Sequence, residues 1–470
     1  MCGICGELRF DDTAVDRRDI ERMNERLARR GPDYGAVHLD GQIGLGHRRL
    51  SIIDLSPRSN QPMVDPESGL AICFNGAIYN YRELRRELQL LGYRFVSDGD
   101  TEVILKAFDA WGADCPARLQ GMFAFAIWDS ARSRLFMARD RFGIKPLYYT
   151  TDVRRLRFAS NPQALLAGGR VDCRIDPVAL HFLFTLHAVV PAPRTVLEGV
   201  RKLEPAHSME IGADGTQSLR RYWALEATRP VNPPGDAGWI EAIHDSLRSA
   251  VRKRYDVADV PVGVLLSGGL DSSLLVALLA EAGAADIRTF SVGFEDQPEE
   301  KGSEFEYSDP VAERYRTSHR KFLVPNQEVL RRLPEAVDNM AEPMFGQDAV
   351  AFYLLAEQVS KEIKVVQSGQ GADEVFGGYF WYPRMRAETA GTPLERFRKH
   401  YFDRDHPEFL QGRRVEGDVS DPFGDLAGAA KGYDSGESFR GECDLHQGVG
   451  VDPSQRSAQR HDAPQAMLAG

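Results

Sequence analysis

The chain has few cysteines, no excess of basic residues and no long hydrophobic run, and each shortage excludes a class of protein. Only 6 of its 470 residues are cysteine, which fits the reducing cytosol. No apolar run reaches the roughly 18 residues that a membrane helix needs, and charged residues fill the N-terminal segment, so we expect neither a membrane span nor a signal peptide. A net charge of −11 argues against a nucleic-acid or membrane surface. We therefore expect a cytoplasmic protein that binds neither nucleic acid nor a membrane, and these properties say nothing yet about its chemistry.

The length predicts more than one domain, and the pattern along the chain changes twice. Residues 2–217 alternate short apolar strands with amphipathic helices, which predicts an α+β sandwich of antiparallel sheets flanked by helices. Residues 218–238 contain a Pro-, Gly- and Ala-rich stretch and are interpreted as a linker. Residues 239–415 carry continuous apolar strands between helices, which predicts an α/β domain with a buried parallel sheet. Residues 416–470 have few large apolar residues, and we expect them to be disordered.

Several single elements are predicted with definite bounds. The expected strands are Leu70–Tyr79, Gly121–Asp129, Arg134–Tyr149, Val260–Leu266, Arg288–Phe294 and Ile363–Gln367. The expected helices are Tyr81–Gly92, Asp100–Gly112, Trp239–Arg254 and Leu274–Ala282.

Cys2 is a candidate nucleophile because removal of Met1 would leave it with a free α-amine. That amine, with an ordinary pKa near 8, could take the proton of the thiol without help from a histidine. Cys2 and Cys5 also form a CxxC, which is typical of redox pairs and of half a metal site. The sequence has no second CxxC to complete a zinc site, so the nucleophile and the redox pair stay open as alternatives.

Five motifs in the first half resemble the class II glutamine amidotransferases, which are N-terminal-nucleophile hydrolases. The motifs are Cys2-Gly3-Ile4, Arg30-Gly31-Pro32-Asp33, the run from Gly46 to Asp54, Phe74-Asn75-Gly76 and Asp100-Thr101-Glu102. The resemblance implies that Cys2 attacks the side-chain amide of glutamine and that ammonia leaves. An amide side chain beside a glycine N–H suits an oxyanion hole. An Asn-Gly pair is also typical of a hairpin turn.

The resemblance also implies a role for each matching residue. Asn75 and the backbone of Gly76 would form the oxyanion hole, Arg49 would bind the α-carboxylate of glutamine, and Asp100 would bind its α-ammonium. The implied glutamine-binding residues are Arg49, Leu50, Ser51, Ile52, Ile53, Asn75, Gly76, Ala77 and Asp100. Many asparagine synthetases carry Glu where this chain has Ala77, so the binding of the amine rests more on Asp100.

The second half contains the loop Ser267-Gly268-Gly269-Leu270-Asp271-Ser272-Ser273, which has the pattern SGGxDS of ATP pyrophosphatases. No Walker A pattern occurs in the chain. Glycines let backbone N–H groups surround phosphate oxygens, and a following helix presents its positive end. Asp271 is a candidate ligand of Mg²⁺. The loop therefore predicts binding of ATP with Mg²⁺.

This loop and the run from Ser368 to Tyr379 resemble the synthetase domain of asparagine synthetases. The resemblance implies that Asp271 and Asp373 bind the metal and that Gln370 stands where the family has a glutamate associated with adenylation. Since glutamine cannot transfer a proton, the acceptor or the detailed chemistry differs. The implied ATP-binding residues are Leu265, Ser267, Gly268, Gly269, Asp271, Ser272, Ser273, Val292, Ser368 and Gly369.

The implied function is an ATP-dependent carbon–nitrogen ligase that uses glutamine to amidate an adenylated carboxylate. Ala77 and Gln370, with the stretches 187–194 and 364–383, resemble a subgroup that amidates N-acetylglutaminylglutamine, an osmolyte precursor, rather than aspartate. The oligomeric state stays open, a homodimer included. Two alternatives are a truncated or frameshifted chain that keeps only glutaminase activity, since the basic Lys-Val-Asp segment of the family is missing, and a non-catalytic remnant of the fold.

Overall fold

Two antiparallel six-stranded sheets form the first half of the protein. The computed structural model describes residues 1–228, 230–296, 301–344, 348–406 and 409. The strand order is β10-β8-β9-β1-β3-β2 in the first sheet and β12-β11-β7-β6-β5-β4 in the second. The strands are β1 (Gly3–Arg9), β2 (Tyr34–Asp40), β3 (Ile43–Arg49), β4 (Met63–Val64), β5 (Leu70–Ile78), β6 (Gly121–Asp129), β7 (Arg134–Arg139), β8 (Tyr148–Thr151), β9 (Arg155–Ala159), β10 (Arg201–Lys202), β11 (His207–Gly212) and β12 (Gln217–Arg221).

The two sheets pack face to face and carry helices on their outer faces. The helices of this half are α1 (Arg17–Glu25), α2 (Tyr81–Leu90), α3 (Asp100–Trp111), α4 (Cys115–Arg118), α5 (Pro162–Ala167) and α6 (Pro177–Thr185), with short 3₁₀ turns at Pro57–Ser59 and Gly112–Asp114. Ile4 and Leu45 of one sheet meet Ala124 and Met137 of the other in the inner core. Helices α1 and α5 cover the first sheet, and α2 and α3 cover the second. The predicted α+β sandwich is confirmed.

The second half is built on a four-stranded parallel sheet with the order β15-β14-β13-β16. Strand β13 lies between β14 and β16, so the loops that follow β13 and β16 emerge side by side. The predicted parallel α/β sheet is confirmed. The elements are α7 (Asp236–Asp256), β13 (Val262–Leu265), α8 (Leu270–Glu281), β14 (Arg288–Phe294), α9 (Phe305–Tyr315), β15 (Ser318–Val324), α10 (Asn326–Asn339), α11 (Asp348–Val359), β16 (Val365–Gln367), α12 (Ala372–Phe376), α13 (Trp381–Ala387) and α14 (Pro393–Tyr401).

Three features of the structure differ from the element-level predictions. The expected strand 134–149 is two strands, β7 and β8, joined by a loop in which the buried carboxylate of Asp140 accepts backbone N–H groups from Phe142, Ile144 and Lys145. Helix α8 begins at Leu270, inside the segment predicted as a loop. Strand β15 was not predicted, because its edge position leaves polar residues along it. The predicted disordered tail, 416–470, lies outside the described residues.

The two halves share a core. Val257, between α7 and β13, is 4% exposed and belongs to the apolar cluster beneath α2 and α3 of the first half. Next to it, the carbonyl of Asp256 accepts a hydrogen bond from Arg82 of α2. The segment after α7 is therefore part of the interior of the first half. Among the described residues, no helix is both long and apolar enough to cross a bilayer.

Candidate active site

Cys2 lies just before β1, against the chain that leaves β3. The Leu50 N–H lies 3.4 Å from the Cys2 Sγ, and the Sγ lies 3.7 Å from the Leu50 carbonyl oxygen. The Arg30 Nε donates to the Cys2 carbonyl oxygen at 3.0 Å. Burial raises the pKa of the Cys2 thiol, with smaller opposing effects from the bond to Leu50 and from the α-amine. A thiol in these surroundings needs a base to become a nucleophile.

The CxxC alternative is wrong. Cys5 lies within β1, is fully buried and packs with Ile20 and Met23 of α1 on the outer face of the first sheet. Cys2 and Cys5 are both free thiols. A redox CxxC opens a helix, whereas this one runs into a strand.

The surroundings of the N-terminus favour an unprotonated amine. Burial lowers the pKa of the Met1 α-amine to about 5. Burial also lowers the pKa of Lys145, whose Nζ lies 2.8 Å from the Met1 Sδ, to about 8. An amine on Cys2 would lie one residue further into the same buried, cationic surroundings. The predicted role of Cys2 requires that Met1 be removed.

Asn75 and Gly76 lie in the middle of β5, paired with Ala124 and Phe123 of β6, so the hairpin-turn alternative is wrong. Asn75 is 1% exposed, and its Nδ2 has no hydrogen-bond partner within the described part of the chain. A Cβ on Gly76 would stand 2.2 Å from the Met122 carbonyl oxygen, so no side chain fits there. An unpaired, buried amide donor beside a glycine is the arrangement that an oxyanion hole requires.

Arg49 is tied to the loop that follows it. Its terminal nitrogens donate to the Ser56 carbonyl at 2.9 Å, to the Asn60 Oδ1 at 2.8 Å, and to the carbonyls of Ile53 and Asp54. These bonds use its four terminal N–H groups, so the Nε–H is the donor that remains for a ligand. The guanidinium and residues 50–56, which we call the glutamine loop, therefore form one unit.

Asp100 is the first residue of α3 and is 5% exposed. Its Oδ2 accepts the Ile78 N–H at 3.0 Å. Burial raises the pKa of Asp100 to about 7, against the lowering effects of backbone N–H groups and Arg49. Cys2, Arg49 and Asp100 are close enough to influence one another electrostatically. Of the predicted residues of the first site, the structure thus brings Leu50, Arg49 and Asp100 near Cys2.

The pKa of Asp100 predicts a pH dependence of glutamine binding. Only the ionised carboxylate can pair with an α-ammonium, so we expect KM for glutamine to rise about fivefold between pH 7 and pH 6, while kcat changes less. Asp100→Asn should raise KM at pH 8 and make it nearly independent of pH over this range. Steady-state ammonia release from pH 6 to 8 measures both, with exposed Asp98→Asn as the control. An unchanged pH profile of KM in Asp100→Asn would contradict the assignment.

The sequence-predicted nucleotide residues gather at the carboxyl ends of β13, β14 and β16. Residues 267–269 follow β13, Asp271, Ser272 and Ser273 lie in the first turn of α8, and Ser368 and Gly369 follow β16. The two loops touch, because a Cβ on Gly369 would stand 2.9 Å from the Asp271 Cβ. Leu265 and Val292 lie in the adjacent strands, both partly buried. Gly269 caps α8 without a side-chain bond, which leaves the first N–H groups of the helix for an anion.

The two loops also hold a pair of carboxylates without a counter-charge. Burial, and then the charge of Asp373, raises the pKa of Asp271. Burial, and then Glu374, raises the pKa of Asp373. In the described ranges neither carboxylate has a cationic side chain within ion-pair distance, and no cluster of three or more His, Cys, Asp or Glu forms a metal site. Two unpaired carboxylates beside a phosphate-binding loop fit Mg²⁺, which takes few protein ligands and fills its shell with water and phosphate oxygens.

Four further residues near the first site were not given a role by the sequence. Arg30 binds the backbone of Cys2, and Asp33 accepts the Ser51 N–H at 2.8 Å. Both lie in the motif Arg30-Gly31-Pro32-Asp33, which resembles the class II glutamine amidotransferases. That resemblance was the signal that could have pointed to them. Asp259 and Lys364 contact the same region from the second half. No local sequence pattern predicts the contacts of Asp259 and Lys364, because these contacts depend on how the two halves pack.

Two families match the chain, one for each half. The family described as glutamine amidotransferase domain matches residues 1–223, and the family described as asparagine synthase matches residues 242–458. Among solved structures, glutamine phosphoribosylpyrophosphate amidotransferase from Bacillus subtilis, in complex with ADP and GMP, has a TM-score of 0.39 and 14% identity, over 69% of this chain and 91% of that one.

Curated relatives cover most of the chain. Two glutamine-hydrolyzing asparagine synthetases of Bacillus subtilis, numbers 3 and 1, are 33% and 37% identical, each over 84% of this chain. The chain spans 66% and 61% of their lengths. A putative glutamine-hydrolyzing asparagine synthetase 2 of Methanocaldococcus jannaschii is 33% identical over 94% of this chain and 84% of the relative. The chain belongs to the family of glutamine-hydrolysing asparagine synthetases.

Proposed function

We propose that this protein is a cytoplasmic, ATP-dependent amidotransferase that releases ammonia from glutamine at Cys2 and uses it to amidate an adenylated carboxylate. The observation that carries the proposal is the joint presence of two sites in one chain. The first has Cys2 against Leu50, with Asp100 within electrostatic reach, in the half that also holds the unpaired Asn75 amide. The second consists of the segments that follow β13 and β16, which we call the nucleotide loops and which meet at Asp271 and Gly369. We further propose residues 2–217 and 239–415 as the two domains.

In the first reaction the Cys2 thiol loses its proton to the α-amine and attacks the side-chain amide carbon of glutamine. The C=O bond opens to an oxyanion, which the Asn75 Nδ2 and the Gly76 N–H stabilise. The oxyanion collapses, the C–N bond breaks, and the amine's proton leaves with ammonia. Water then cleaves the thioester and releases glutamate, which restores the thiol.

In the second reaction the chain binds ATP and orients an acceptor carboxylate. Asp271 and Asp373 would hold Mg²⁺, which neutralises the pyrophosphate when bound. Backbone N–H groups at the start of α8 and the hydroxyls of Ser267 and Ser272 can donate to phosphate oxygens. Those hydroxyls already lie 3.0 Å apart across the loop. The loop is therefore preorganised for an anion.

We propose N-acetylglutaminylglutamine, an osmolyte precursor, as the acceptor, with aspartate as the second candidate. Gln370 supports a departure from the aspartate enzymes, because its neutral amide replaces an acid–base group. It is exposed, and its backbone N–H donates to the Ser368 Oγ at 3.2 Å. The side chain is therefore available to a substrate rather than to the fold.

Pyrophosphate release with ATP, Mg²⁺, glutamine and each acceptor in turn tests the proposal. We expect release with N-acetylglutaminylglutamine to exceed release with aspartate. Asp271→Asn should abolish pyrophosphate release and leave ammonia release from glutamine intact. Turnover with aspartate alone would overturn the acceptor. Ammonia release without acceptor-dependent pyrophosphate from the wild type would overturn the amidation.

A further inference from the structure

Strands β13 and β16 are followed by the nucleotide loops. The residues just before the N-terminal ends of the same strands contact the glutamine loop or residues bonded to it. Asp259 lies three residues before β13 and contacts the loop twice. Its N–H donates to the Ile52 carbonyl at 2.9 Å, and its Oδ2 accepts the Asp54 N–H at 2.7 Å. The backbone of the glutamine loop is thus hydrogen-bonded on both sides of Ile53 by one residue of the second half.

A second contact reaches the same loop from β16. The Lys364 Nζ, one residue before β16, donates to the Asp33 Oδ2 at 2.6 Å. The same oxygen accepts the Ser51 N–H at 2.8 Å, and the Asp33 N–H donates to the Arg49 carbonyl at 3.0 Å. Asp33 therefore bridges Lys364 to Arg49 and Ser51, on either side of Leu50, where the glutamine loop begins.

These contacts bear on the residue that would recognise glutamine. The carbonyls of Ile53 and Asp54 accept hydrogen bonds from Arg49, and the Asp54 N–H between them is the one bonded to Asp259. A shift of the Asp54 backbone would therefore move the guanidinium. Strands β13 and β16 are hydrogen-bonded neighbours, so their N-terminal ends approach the glutamine loop together.

The path between the two sites is short and stiff. Strand β13 has four residues and β16 has three, and a strand rises about 3.3 Å per residue. The loop from 267 begins eight positions after Asp259, and Ser368 comes four positions after Lys364. Binding that orders the nucleotide loops can therefore reduce the motion of the strand ends that hold the glutamine loop.

We propose that Asp259 and Lys364 are positioning residues for glutamine, supplied by the strands that carry the nucleotide loops, so that ATP binding orders the glutamine loop. The inference rests on the proposed function and names how its two sites communicate. It requires that glutamine bind more tightly when ATP is bound, and by linkage that ATP bind more tightly with glutamine present.

Hydrogen exchange tests the contacts without any turnover. In the wild type, ATP with Mg²⁺ should slow amide exchange in a peptide covering residues 50–56. Asp259→Ala and Lys364→Gln should each speed exchange in this peptide without ATP, and the double variant should lose the response to ATP. Asp259→Asn keeps an oxygen that can accept the Asp54 N–H, so it should behave as the wild type.

Kinetics with matched controls gives the second readout. Asp259→Ala should raise KM for glutamine about tenfold, with kcat within twofold, and leave the ammonia-driven reaction unchanged. Asp256→Ala and Lys361→Gln are the controls, since within the described residues their side chains bond only Arg252 and Gln358 of their own half. Unchanged exchange and KM in both test variants, or a wild-type loop indifferent to ATP, would overturn the inference. A wild type that releases no ammonia while its loop still responds to ATP would instead overturn the proposed function.

Discussion

Replacing Cys2 with alanine is expected to abolish ammonia release from glutamine, by about 10⁴-fold or more, because no other group can form the thioester. Amidation driven by added ammonium salt should continue at the wild-type rate, since the nucleotide loops lie in the second half. Pyrophosphate release with glutamine and then with ammonium chloride measures both. The split between the two nitrogen sources is what distinguishes a lost nucleophile from a damaged fold.

The matched control is Cys5→Ala, at a buried thiol within β1 that faces α1. It should lose some stability through the cavity but retain glutamine-dependent activity. Mass spectrometry of the wild type should find Cys2 as the first residue, with Met1 removed. Full glutaminase activity in a chain that retains Met1 would contradict the role of the α-amine.

Asn75→Ala is expected to lower kcat for ammonia release about 100- to 1,000-fold, because the Nδ2 is a preorganised donor for the oxyanion. KM for glutamine should change much less. The variant should also be at least as stable as the wild type, since the substitution removes a buried donor that has no partner in the described part of the structure. A loss of activity without a loss of stability would indicate that Asn75 serves catalysis rather than folding.

Thermal unfolding together with ammonia-release kinetics tests this pair of outcomes. Asn80→Ala is the control, because the Asn80 side chain bonds the Arg118 carbonyl and the Gln120 N–H and so serves the fold. It should lose stability and keep kcat. A drop in the melting temperature of Asn75→Ala that accounts for its lost activity would contradict the assignment.

The sequence predicts some strands accurately and misses others. Strand β14 has the predicted bounds because its apolar run is continuous between turn residues. The expected strand 134–149 was wrong, because its apolar letters do not reveal that the carboxylate of Asp140 binds the backbone and breaks the strand. Strand β15 was missed because an edge strand can be polar.

The gathering of the site residues was predictable only in part. Ser267 and Ser368 follow apolar strands, and parallel strands end at one edge, so their approach follows from the pattern. The contacts of Asp259 and Lys364 could not be predicted. They depend on the docking of the two halves, which leaves no periodic signal in a short segment between elements.

Val257 has a consequence for how this chain can be divided. The covalent boundary between the halves lies near residues 222–235, but the packing boundary lies beyond α7, where Val257 enters the core under α2. A fragment cut at the covalent boundary would keep Cys2, Asn75 and Asp100. It would also expose to solvent the apolar surface against which Val257 packs. The first half therefore carries the residues of its own site, but the second half supplies part of its hydrophobic core. Any recombination of such halves between relatives would have to exchange the segment around Val257 together with the surface that receives it.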